Sequence, residues 1–291
     1  MHLFAPLAVH LRTRRPLGPL AIALALVLPA CDDNLTYLAP EAYEPAPPAA
    51  LSCIPDLNGQ ITSAELAPTF GIPASYLVSP PSSTRPVDPI GTVDTAGRRA
   101  WDLSLPDADP VAQITARPIA DHWAAASFPA DAFVAPLDAG QSIDAIYRSA
   151  DNQLTLLGLA SRLENPPEGQ TLWRYTAPVV VYRFPLTDGQ RWTSVGEVVN
   201  GLVRGLPYAG RDTYEIEVSG TGRLILPDFT FSQTLRVKTR LVSQPAVGQS
   251  SARNQISWLF ECFGEVARIT SAPNETNSDF TSAAEMRRLG L

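Results

Sequence analysis

Thr213-Tyr214-Glu215-Ile216-Glu217-Val218 alternates polar with apolar residues, and Leu235-Arg236-Val237-Lys238-Thr239-Arg240-Leu241 repeats the pattern. A period of two puts Tyr214, Ile216, Val218, Leu235, Val237 and Leu241 on a buried face and the charged residues on a wet one, as antiparallel pairing requires. Working outward, the full set of expected strands is 142–149, 152–162, 171–184, 190–204, 211–219, 221–226, 231–243, 254–263 and 265–271, between Gly, Pro, Asn and Asp turns. Gly220-Thr-Gly222 reads as one of the hairpin turns. Connections this short permit hairpins and exclude helical crossovers. The expected fold class is mostly β: an antiparallel curved sheet or half-barrel built of hairpins, with one or two short helices.

Residues 141–272 thus form the antiparallel sheet part. Residues 53–140 read as an irregular, β-rich N-terminal part with apolar segments near Tyr76, Trp101 and Ile119 to Ser127, where Trp101 and Trp123 are the expected core anchors. Residues 273–291 read as a polar tail in which Ser282 and Glu285 open a short capped helix and Arg287 and Arg288 face its C-terminal dipole.

At the start of the chain, Arg12, Arg14 and Arg15 precede a 12-residue apolar run from Leu17 to Leu28. Such a run suits the ~7–15 residues of a secretory h-region and falls short of the ~20 that span a bilayer. Residues 1–30 are therefore expected to be a signal peptide. The following Leu28-Pro29-Ala30-Cys31 resembles the lipobox of bacterial lipoproteins, with Pro29 a less usual occupant of its slot. That resemblance implies acylation of the Cys31 thiol, cleavage just before it and acylation of the new amino terminus. It places the chain in the bacterial cell envelope, held to a membrane by its lipid, with the domain in the periplasm or at the cell surface. An ordinary signal peptide cut beside an unmodified Cys31 is the alternative. Residues 31–52, with Pro40, Pro45, Pro47 and Pro48, read as lipid anchor and Pro-rich tether.

Loss of residues 1–30 removes three of the 22 basic side chains and no acid, leaving 19 against 29 and a net charge of −10. An acidic surface repels phosphate backbones, so nucleic acid is not an expected partner. Cysteine usage points the same way as the leader. If Cys31 carries lipid, Cys53 and Cys262 remain as a pair that an oxidising compartment can join; two buried free thiols are the alternative. Cys262 follows Trp258 and Phe260 on one face of the expected strand 254–263.

Asp56-Leu-Asn58-Gly59-Gln-Ile61 with Glu65 resembles an EF-hand calcium loop, in which Asp56, Asn58 and Glu65 would be ligands. Ile54 stands where the first carboxylate is required and cannot coordinate a hard cation. A Gly turn leading into a helix capped at Thr62, with Glu65 three residues on, is the favoured reading, and no metal or other cofactor is expected. Once the leader is removed His122 is the sole histidine, so a His-based metal cluster is excluded, and a Ser-His-Asp site would have to be built on it beside Asp121. Glu215 and Glu217, and the basic Arg236, Lys238 and Arg240, read as solvated strand faces.

The whole order, from lipobox and tether through the Asp-x-Asn-Gly turn, the Trp-bearing strands and Pro185-Leu-Thr-Asp-Gly-Gln-Arg-Trp192 to the hairpin run, resembles envelope lipoproteins of Gram-negative bacteria. The reading is a non-catalytic structural or binding module whose partner is a protein or a hydrophobic ligand. A half-barrel carrier of a hydrophobic ligand such as a lipid is the alternative, and a hydrolase working by paired carboxylates is a third. A cavity lined by apolar side chains on the inner face of the sheet would favour the carrier. Cys31→Ser is expected to abolish acylation and release the protein from membranes; unchanged partition into the membrane fraction would contradict the lipobox reading.

Overall fold

The computed structural model describes residues 53–105, 108–138 and 140–291; the leader, Cys31 and the tether lie outside the described residues. Strands dominate: β1 (Ala74–Val78), β2 (Arg85–Pro86), β3 (Thr92–Val93), β4 (Arg99–Asp102), β5 (Val111–Ile114), β6 (Arg117–Pro118), β7 (Phe133–Pro136), β8 (Ile143–Ala150), β9 (Gln153–Ser161), β10 (Leu172–Arg183), β11 (Arg191–Val203), β12 (Leu206–Ile225), β13 (Thr230–Pro245), β14 (Ser251–Phe260), β15 (Gly264–Ser271) and β16 (Ser282–Leu289). The short helical segments are two 3-10 turns, Ile119–Asp121 and Trp123–Ser127, which stand where an apolar strand segment was expected. The fold class is as the sequence predicts, one open, curved, mostly antiparallel sheet.

The sheet runs in the order β5-β1-β16-β15-β14-β13-β12-β11-β10-β9-β8-β7-β6. Its two ends, β5 and β6, are joined in sequence by Thr115 and Ala116 alone. Thirteen strands at ~4.8 Å spacing make an arc of ~58 Å, whereas the three Cα steps from Ile114 to Arg117 reach at most ~11 Å. The sheet must therefore curl almost full circle. Contacts cross the resulting seam: Gln141 Nε2 donates to Gln113 O at 2.9 Å, and the guanidiniums of Arg268 (3.3 Å) and Arg287 both donate to Leu137 O. The hydrogen-bond ladder itself does not close.

Hairpin chemistry sets the register. Asp151 and Asn152, at φ 53° and 56°, and Arg204 and Gly205, at 50° and 75°, form two-residue turns whose left-handed conformation matches strand twist. Gly220-Thr-Gly222 is not a turn. It lies inside the 20-residue β12, at register shifts against β13, where β4 takes over pairing with the end of β12 in parallel. Gly222 is required there, because a Cβ would stand 2.7 Å from Arg99 O and 2.8 Å from the Trp101 ring.

Both faces of the sheet are used. Inward, Leu235, Val237, Ile216, Val218, Trp192 and Leu259 pack together, and Tyr175, Val179, Leu156 and Val198 continue the lining. Outward, Trp258, Ile256 and Phe260 pack under Trp101, Leu103 and Phe280, while Ile146, Val134 and Leu157 are covered by the two 3-10 turns. This corrects the expected wet stripe. Arg236 is buried over the Trp101 ring, donating to Ser219 O at 2.9 Å and to Pro89 O, and Lys238 pairs with Asp279 at 2.6 Å. Only Arg240, 3.9 Å from Glu215, keeps a partly exposed setting.

The C-terminal helix is also corrected. Ser282 to Leu289 is β16, inserted between β1 and β15. An isolated helix of eight residues is marginal, and the strand gains two ladders while burying Ala283 and Met286. Arg288, fully buried, donates to Leu103 O (2.9 Å), Leu105 O (3.1 Å) and Asp109 (2.7 Å), so this cation ties the N-terminal part to the sheet. The parts 53–140 and 273–291 therefore belong to the same sheet as 141–272.

Cys53 and Cys262 are bonded, with Cα atoms 5.6 Å apart. Cys262 lies not on the face of β14 but in the turn after it, at φ 66°. The bridge closes a span of 209 residues, and its main effect is to restrict the unfolded chain. Reduction under non-denaturing conditions is expected to lower unfolding free energy by about 2–4 kcal/mol in urea titrations; an unchanged midpoint would contradict this.

Candidate functional site

The segment that follows Cys53 builds the mouth of a cavity. Thr62 and Glu65 bond reciprocally, Glu65 Oε2 accepting from Thr62 N at 2.7 Å and Thr62 Oγ1 from Glu65 N at 3.4 Å, as a capping box does. No helix follows, because Pro68 stops the chain after one turn. Residues 65–71 instead run as a strap across one end of the curled sheet. Cys262 N donates to Glu65 O at 3.1 Å at its start, and Gly71 N donates to Ala116 O at 3.1 Å at its finish. Phe70 packs on Phe133, with ring centroids 5.9 Å apart. The strap thus connects the disulfide-bearing turn to the two-residue link that holds the sheet's edges together.

Beneath it lies a cavity of about 520 Å³, within the ~300–1,000 Å³ usual for small-molecule sites. Leu66, Pro68 and Ile72 roof it, and Ile114, Phe133, Leu154, Val181, Leu259 and Leu289 make apolar walls from both sides of the seam. One polar patch interrupts them. Arg268 Nε lies 2.8 Å from Glu265 Oε1, Ser257 Oγ donates to Glu265 Oε2 at 2.8 Å, Gln255 Nε2 donates to Ser257 Oγ at 3.1 Å, and Tyr76 Oη donates to Glu265 O at 2.6 Å. Tyr147 and Tyr182 complete the patch, and among the described residues neither hydroxyl has a protein hydrogen-bond partner. Burial pushes both phenols well above their ordinary range, and the negative charge of Glu265 adds to the shift of Tyr182, so both are donors at physiological pH.

A second polar group lies further along the inner face. Tyr175 Oη donates to Asp212 Oδ2 at 2.6 Å and lies 3.3 Å from Tyr214 Oη. Gly196 makes room for it, since a Cβ there would meet the Tyr175 ring at 2.4 Å. Asp212 stands in phase with Tyr214, Ile216 and Val218, so an acid on the apolar side of the alternation was the signal for this group in the sequence.

The predicted site residues are only partly brought together. Asp56 and Glu65 converge with Glu261, their ligand atoms all within 4.8 Å, and among the described residues these three could hold a metal ion. Asn58 does not join them, because its amide donates back to Asp56 at 2.8 Å and its oxygen accepts from Gln60 N at 2.8 Å. Both Asp56 oxygens, Glu65 Oε2 and Glu261 Oε2 already accept N–H groups, the last from Leu57 at 2.7 Å. Calcium takes six to eight oxygens, and four of the six that these carboxylates carry are already held by N–H groups. Glu261, 205 positions beyond Asp56 in the sequence, could not be found by local spacing.

His122 does not use Asp121. Its Nδ1 accepts from Ala124 N at 3.1 Å, so the proton sits on Nε2, 3.6 Å from Asp144, which also accepts from Arg117 at 3.0 Å. The ring has no free lone pair for activating a hydroxyl. Glu215 and Glu217 are engaged with Arg240 and Arg191 on the outer face and do not face each other across a cleft.

No family model, curated protein or solved structure matches the chain.

Burial lowers the pKa of His122 from its ordinary 6.5, outweighing the opposing pull of Asp144. A depressed folded value means that the neutral ring stabilises the fold fully above 6.5, and that this stability is lost as pH falls through the folded value. Asp144 is shifted upward by burial, with the opposite sign. His122→Asn, which keeps a capping acceptor, is therefore expected to flatten the loss of urea stability between about pH 7 and about pH 5. Parallel curves for the variant and the parent would contradict the assignment.

Proposed function

We propose that this is a lipid-anchored protein of the bacterial cell envelope whose domain holds a small hydrophobic ligand inside the curled sheet. The observation that carries the reading is the cavity under the strap, with apolar walls and one polar patch, on the concave face. Small-molecule sites have this composition: extensive apolar lining with a few placed polar groups that orient the ligand. A core filled to ordinary interior density would instead suit a purely structural module. Neither His122 nor the Glu215 and Glu217 pair has the geometry of an acid–base centre, so the reading is one of binding without chemistry.

The experiment is a titration of the domain with the neutral fluorophore phenylnaphthylamine, whose emission rises in apolar surroundings. Saturable binding at one site is expected. Ala135 lines the cavity, and Ala135→Trp, which fills it, should abolish the signal while circular dichroism and melting temperature stay near those of the parent. No saturable binding, or equal binding by Ala135→Trp, would contradict the proposal.

A further inference from the structure

Resting on the reading of the cavity as a ligand site, the geometry points to the chemical class of the ligand: a neutral amphiphile, with an apolar body and an uncharged hydrogen-bond acceptor such as an ester carbonyl or a hydroxyl. The charged side chains that line the cavity are Glu65, Glu265 and Arg268. Arg268 is committed to Glu265 at 2.8 Å and to Leu137 O at 3.3 Å, and the neighbouring Arg287 is committed to Glu285 at 2.7 Å and to the same carbonyl. The lining therefore carries one more negative than positive charge, with no spare cation. A carboxylate or phosphate head would lose its hydration on entry and meet no compensating charge.

Donors, by contrast, are on offer. Tyr147 and Tyr182 line the cavity beside the Glu265 and Arg268 pair, and among the described residues neither hydroxyl has a protein hydrogen-bond partner. A ligand that brings an acceptor meets two donors there within a largely apolar lining, where a hydrogen bond counts for more than in water. Tyr76 is already spent on Glu265 O, which leaves Tyr147 and Tyr182 as the pair that places the ligand's polar group. The apolar remainder then lies along Leu154, Val181, Leu259 and Phe133 under the strap.

The test uses the acylated or delipidated full-length mature protein, with bound phenylnaphthylamine displaced by monolauroylglycerol or by laurate at neutral pH. Monolauroylglycerol is expected to displace the dye at a concentration at least about tenfold lower than laurate, the equivalent of one to two net hydrogen bonds. Tyr147→Phe with Tyr182→Phe should raise the monolauroylglycerol requirement about tenfold relative to the variant's own dye affinity, with circular dichroism and melting temperature as the control for folding. Displacement by laurate at equal or lower concentration would overturn the neutral class while leaving the cavity reading intact. So would a double variant with unaltered monolauroylglycerol displacement. Failure of the dye to bind the parent protein would overturn both.

Discussion

Two residues, Thr115 and Ala116, tie the opposite edges of a thirteen-strand path to each other, and this covalent constraint governs the shape of the whole domain. A flat sheet of that width cannot satisfy a link so short, so the strands must wrap. An arc of ~58 Å closed by a gap of ~11 Å has a diameter of roughly 22 Å between backbones, about twice the ~10 Å at which facing sheets pack their side chains together. Side chains alone do not fill such a ring. The inner face keeps a cavity where the strap bridges the end.

Wrapping leaves an outer surface that a single sheet would expose, and the sequence covers it in two places. Residues 85–105 and Phe280 lie over Trp258 and Ile256, and the 3-10 turns lie over Ile146 and Leu157. Buried cations fasten these covers. Arg236 reaches back to Pro89 O and Arg288 to Leu103 O, Leu105 O and Asp109. Removing one partner of such a buried pair costs about 3–5 kcal/mol, so the covers are fixed parts of the fold. The disulfide plays the same part at the end where the described chain begins, holding the start of the strap against the turn after β14.

Periodicity made the sheet legible. Tyr214, Ile216, Val218, Leu235 and Val237 do face one way, and the cysteine pairing follows the arithmetic. What alternation could not reveal is a strand wet on neither side: Arg236 looked solvated because its cover comes from a distant, irregular segment. Ser282 to Leu289 carried local helix signals that two neighbouring strands override. Gly220 and Gly222 looked like a turn, whereas the first sits in a bulge and the second admits the Trp101 ring. Of the site, Asp56 and Glu65 were visible through a loop pattern, but Glu261 was not. The cavity residues Tyr147, Tyr182 and Arg268 were unreadable as a set, because only the curl of the sheet brings their strands around one space.

The proposed function requires an apolar guest inside the wrap. Native mass spectrometry of the protein purified from its own host tests this most directly. The account predicts a population heavier than the chain by the mass of one neutral amphiphile, lost on Ala135→Trp substitution. A single unliganded mass in parent and variant alike would contradict it.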